Sequence, residues 1–163
     1  MHDSTVSMRR VWADLFLEEM RKNENIYLIV GDLGYKVFDE HFATFPERCI
    51  NVGAAEQAMV GIAVGLSLSG KLPFCYTISS FYLRAAETIA LYLHGEQLNI
   101  KLVGSGRGKD YAHDGPSHDA TILENFLQTL DIAMYFPQDN KECAFLMQDM
   151  MVREKPMFIS LRR

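Results

Sequence analysis

The sequence predicts one α/β domain: a six-stranded, mostly parallel sheet with helices on both faces. Six short apolar runs, IYLIV, CINV, FCYTI, IKLVG, AMYF and MFISL, alternate with segments of helical periodicity. The runs are continuously apolar, as strands buried on both faces of a parallel sheet must be. No internal repeat, low-complexity tract or Pro/Gly-rich linker interrupts the 163 residues, so the whole of 1–163 reads as a single domain.

The elements follow in order. The first helix starts from Ser4 or Thr5 as N-cap, since Val6, Met8, Val11, Trp12, Leu15, Phe16 and Met20 then recur at helical spacing. IYLIVGD is a buried strand that stops at Gly31. The strand near CINV leads into a helix over 55–69, and FCYTI into a helix over 81–94. IKLVG is followed by a long loop and a helix over 118–130, and AMYF by a helix over 139–153. MFISL closes the pattern. Ligands of such open sheets sit beyond the carboxyl ends of the strands, where loops and helix N-termini converge. That edge holds Asp32, the GAAE stretch ending at Glu56, Ser79 to Arg84, Gly104 to His118, and Arg162 with Arg163.

Charge and composition exclude several function classes. The net charge of −5 comes without a basic run, which argues against nucleic acid or an anionic membrane as partner. No apolar stretch reaches the length of a membrane span, and MHDSTVSMRR has no hydrophobic core of a signal peptide, so a cytoplasmic location is expected. Cys49, Cys75 and Cys143 are widely spaced within apolar segments, which fits small core residues and neither disulfide nor zinc chemistry.

Two glycine-rich stretches fail as phosphate motifs. GSGRGKD has one residue too few between Gly104 and Gly108 for a Walker A loop, and Asp110 stands where Ser or Thr is required. LIVGDLG follows a strand but lacks the G-x-G-x-x-G fingerprint. The stretch AHDGPSHD gathers His113, Asp114, His118 and Asp119, which fits either a metal site or a polar turn. In NVGAAEQAMVGIAVGLSLSGK, Glu56 opens an otherwise apolar, small-residue helix. It is there either to complement the helix dipole, worth about 0.3–1 kcal/mol, or for chemistry. The small residues from Gly53 to Gly65 allow close approach of another backbone or subunit.

The string NVGAAEQAMVGIAVGLSLSGKLPFCYTISSFYLRAAE, followed by DGPSHD, resembles the pyrimidine-binding domain of transketolases, deoxyxylulose-phosphate synthase and split transketolase small subunits. The resemblance implies the thiamine-diphosphate-binding fold. It also implies transfer of a two-carbon ketol unit from a ketose, often phosphorylated, to an aldose. In that family the glutamate matching Glu56 hydrogen-bonds N1′ of the cofactor's aminopyrimidine and drives the proton transfer that activates the thiazolium; the cofactor performs the difficult step. Phe81 matches the ring that stacks on the pyrimidine, with Tyr76, Tyr82 and Asp32 as further candidates on the cofactor side. Asp114 and His118 match the family's DGP[ST]H residues that orient substrate hydroxyls, His118 also as a proton carrier. Arg84 matches an arginine of the substrate channel, and Arg162 one that grips a substrate phosphate. The loop before them departs from the family, placing Gly106 where a substrate histidine is expected.

The family's GDG motif with its downstream Asn, which holds Mg²⁺ or Ca²⁺ and the diphosphate, has no match here; nor does the C-terminal domain. This chain is therefore expected to hold no metal itself and to share thiamine diphosphate across an interface with a separate diphosphate-binding subunit, as an α2β2 assembly. Two other readings stay open. One is a non-catalytic assembly or regulatory subunit; the other is a β-like subunit of a 2-oxoacid dehydrogenase.

Overall fold

The computed structural model describes residues 6–163. The expected N-cap at Ser4 or Thr5 lies outside them. The first helix, α1 (Met8–Lys22), is instead capped by Ser7, whose side chain accepts from the Arg10 N–H. It ends at Asn23, after Arg21 and Lys22 have placed positive charge on the negative end of its dipole.

The expected sheet is present, and every strand pair in it is parallel. Its strands are β1 (Ile26–Val30), β2 (Cys49–Asn51), β3 (Leu72–Ile78), β4 (Lys101–Ser105), β5 (Ala133–Tyr135) and β6 (Met157–Leu161), in spatial order β2-β1-β3-β4-β6-β5. Successive side chains alternate between two cores. Leu28, Val30, Phe74, Tyr76 and Val103 pack against Trp12 and Phe16 of α1 and Met147 of α6 (Asn140–Val152). Ile29, Cys75, Leu102 and Phe158 face the other side, against Met59 and Ala63 of α3 (Glu56–Leu68) and Leu123 of α5 (Thr121–Gln128).

Two elements differ from the sequence pattern. A short helix, α2 (Asp39–Thr44), fills the connection between β1 and β2. The helix expected over 81–94 is compound: a 3₁₀ segment (Ser79–Ala85), one α turn, α4 (Ala86–Thr88), and a π-type segment (Ile89–Gly95). Tyr82 enforces the tight start. Its hydroxyl donates to the Cys75 carbonyl at 2.7 Å and accepts from the Val103 N–H at 3.2 Å, which pins the first turn onto the sheet. Tyr82 is therefore a packing residue in this fold, fully buried away from the ligand edge.

The three thiols are free and buried. Burial pushes Cys49 and Cys143 up to about 12 and Cys75 higher, so they are inert at neutral pH. No helix among the described residues is long and apolar enough to cross a membrane.

Candidate active site

The site is built from loops that leave the carboxyl ends of β1 to β4. Glu56 is the first residue of α3, yet its side chain turns inward and is only 1% exposed. A carboxylate out of water needs partners. Oε1 accepts from the buried Thr77 hydroxyl of β3 at 3.3 Å. Oε2 lies 2.8 Å from Arg84 Nη1, without the geometry of a hydrogen bond, and accepts none. Gly31 makes room beneath: a Cβ there would stand 3.2 Å from Thr77 Oγ1 and 3.5 Å from Glu56 Oε1.

The 3₁₀ segment after β3 carries both Phe81 and Arg84 and brings Arg84 to this carboxylate. The Arg84 guanidinium lies 4.1 Å from the Phe81 ring centroid. Ser80 donates to the Ser117 carbonyl at 2.8 Å, which ties the 3₁₀ segment to the 3₁₀ turn Pro116–His118. That tie seats His118 edge-on to Phe81, with centroids 5.0 Å apart. Glu56, Arg84, Phe81 and His118 thus form one continuous chain of contacts. Asp114 stands at its exposed rim, 3.2 Å from His113.

Other expected residues lie apart from that chain. Tyr76 projects to the opposite face of β3 from Thr77, into the core beside Phe38. It lines a cavity of about 260 Å³ with Arg9, Tyr35, Ser105 and Tyr111. Burial there pushes its phenol up. Asp32, held with a positive φ of 55°, borders another cavity, of about 380 Å³, and its N–H donates to Asn51. Arg162 is exposed after β6. Burial, together with the Arg162 charge, holds the guanidinium of Arg107 below its usual range. Arg107 itself donates to the carbonyls of Pro137 and Ser160, so the basic residue of GSGRGKD serves the loop's own structure. Among the described residues, no group of three or more His, Cys, Asp or Glu is placed to hold a metal ion.

The structure also adds Arg9, which the sequence did not single out, and shows how the nominated loop and terminal residues pair. Arg9 of α1 donates to the Tyr111 hydroxyl at 3.2 Å, and that hydroxyl pairs with Ser105 at 2.9 Å. Arg9 Nε is buried without a partner beside the cavity. Arg163 meets His113 at 2.9 Å and covers the Tyr111 ring. Gly106 has a φ of +83°, and the Tyr111 ring occupies the space a Cβ would take. The loop has closed over that position.

Residues 4–163 match the family model described as the transketolase pyrimidine-binding domain. The chain belongs to that family. It is 30% identical to the 6-deoxy-6-sulfo-D-fructose transketolase subunit of Clostridium sp., over 96% of this chain and 49% of the relative. It is 28% identical to an apulose-4-phosphate transketolase subunit of Phocaeicola vulgatus, over 100% of this chain and 53% of the relative. A solved structure of a split gene transketolase, an inactive beta4 tetramer, superposes with a TM-score of 0.83 at 29% identity, covering 97% of this chain and 52% of that one. Transketolase from Leishmania mexicana shares the fold at a TM-score of 0.88 and 20% identity, over 99% of this chain and 26% of that one. The chain thus spans about half the length, or less, of the relatives it matches.

Proposed function

We propose that this chain is the pyrimidine-binding part of a thiamine-diphosphate transketolase. It would transfer a two-carbon ketol unit from a ketose, in our reading a phosphorylated one, to an aldose, and would work with a separate diphosphate-binding subunit. One observation carries the reading: Glu56 Oε2 is buried and accepts no hydrogen bond, and the guanidinium of Arg84 links it to the half-buried ring of Phe81. A flat, nitrogen-bearing ring fits those two groups together. Thiamine diphosphate, when bound, supplies the carbon that accepts the ketol unit.

In this reading Glu56 holds or moves a proton at the ring nitrogen of the pyrimidine, and Phe81 stacks on the ring. His118, fixed against Phe81, faces the substrate side, where it and Asp114 orient hydroxyls and His118 moves a proton. Arg162 supplies charge for a substrate phosphate. Mg²⁺ or Ca²⁺ and the diphosphate belong to the partner, in an α2β2 cytoplasmic assembly. The names of the Clostridium and Phocaeicola relatives support the subunit arrangement.

Titration calorimetry tests it. The chain alone is expected to show no tight Mg²⁺-dependent uptake of thiamine diphosphate, and the mixture with its diphosphate-binding partner a strong one. Tight binding by the chain alone would remove the need for a partner. In the complex, Glu56→Gln is expected to lower turnover by about 10²–10⁴-fold; unchanged turnover would favour the assembly-subunit reading.

A further inference from the structure

Arg84 already touches both groups that the cofactor ring would need. Nη1 sits 2.8 Å from Glu56 Oε2, and the guanidinium covers Phe81 at 4.1 Å from the ring centroid. The two contacts come from one flat group. A guanidinium carries N–H donors in its plane and stacks well on aromatic faces. An aminopyrimidine is also flat, stacks on aromatic faces, and meets a carboxylate through its edge.

The two partners differ in exposure. The Glu56 side chain is 1% exposed and that of Arg84 is 51% exposed. Glu56 is held from below by Thr77 and Gly31, whereas Arg84 is on the solvent side of the pair. A buried carboxylate without a countercharge is costly, so something must face Oε2 when no ligand does.

We propose that Arg84 is a stand-in for the aminopyrimidine: it fills the slot between Phe81 and Glu56 in the free chain, keeps the carboxylate aimed, and swings out when the ring enters. The inference rests on the reading of Glu56 given above and adds a competitor built into the chain. Ring entry must break the ion pair and the stack, so Arg84 lowers the affinity of the free chain for the cofactor's pyrimidine half.

The test is a ligand-observed NMR titration of the full chain with the aminopyrimidine alcohol that forms half of thiamine. The proteins are wild type, Arg84→Gln, Arg84→Lys, Glu56→Gln and the double variant Glu56→Gln/Arg84→Gln, each checked for folding by thermal melting. Arg84→Gln is expected to bind about tenfold tighter than wild type, the combined scale of a partly exposed ion pair and a cation–π contact. Arg84→Lys, which keeps charge but not the flat stack, falls between them. The double variant loses the gain.

If Arg84→Gln binds no tighter while Glu56→Gln still weakens binding, the stand-in is wrong and the reading of Glu56 survives. If Glu56→Gln weakens binding in neither background, the reading of Glu56 fails and the inference with it. Absence of binding to every variant also overturns the stand-in.

Discussion

Thr77 divides the labour of the two Glu56 oxygens. Its hydroxyl donates to Oε1, so Oε2 is left to meet whatever enters from the solvent side. Thr77→Val keeps the side-chain shape and removes the donor. Turnover of the reconstituted complex is expected to fall by about tenfold, matching the loss of roughly 1.5 kcal/mol from a hydrogen bond to a charge. Thr77→Ser should restore most of it, as steady-state kinetics would show. At this scale the sequence was informative where a residue type was out of place. A carboxylate opening an apolar helix pointed to Glu56, and the family motifs added Phe81, Asp114 and His118. It was silent on Thr77 and Arg9. A threonine suits any strand, and an arginine on α1 gives no hint that its side chain reaches Tyr111. Tyr76 illustrates the converse: the period-two alternation that turns Thr77 toward Glu56 turns its neighbour away.

Two elements carry pH-sensitive anchors. His41 of α2 lies at 3.0 Å from the Ala13 carbonyl, joining α2 to α1, and burial lowers its pKa to about 4. The unfolded chain then binds more protons than the folded one between about pH 4 and the ordinary histidine value of about 6.5. Stability should therefore fall as pH drops through that window. Lys101 opens β4 and donates to the carbonyls of Arg153 and Lys155 at 2.6 Å, closing the end of α6; burial lowers its pKa to about 7. Here the excess protons on the unfolded chain lie between about pH 7 and 10.4, so stability should rise across that range. Urea denaturation at about pH 5, about pH 7 and about pH 9 checks both trends. His41→Phe should flatten the acid limb and Lys101→Met the alkaline one. Neither anchor was legible in advance. DEHFAT is too short and polar to announce a helix, and a lysine at a strand's start looks like a solvent-facing edge. The compound helix after β3 escaped for a similar reason: helical spacing in 81–94 was visible, but the tight 3₁₀ start depends on Tyr82 reaching across to β3 and β4.

For the molecule as a whole, the parallel sheet followed from continuous apolar runs, because strands buried on both faces leave no room for polar alternation. Strand order did not follow. Placement of β5 outside β6, and of β2 outside β1, depends on how helices pack across faces rather than on any local signal. The topology nonetheless delivers residues distant in sequence to one edge: Thr77 and Glu56, then Phe81 and His118, with Asp114 at the rim. The backbone at that edge also limits how the protein can be re-engineered. Gly106 has a left-handed backbone and the Tyr111 ring lies over it. Any side chain placed at 106 by a single substitution therefore meets both backbone strain and the Tyr111 ring. Room for a side chain at that position requires a smaller residue at 111, and the left-handed backbone stays strained even then. That step would also undo the Arg9 and Ser105 hydrogen bonds, so the two substitutions have to be selected together.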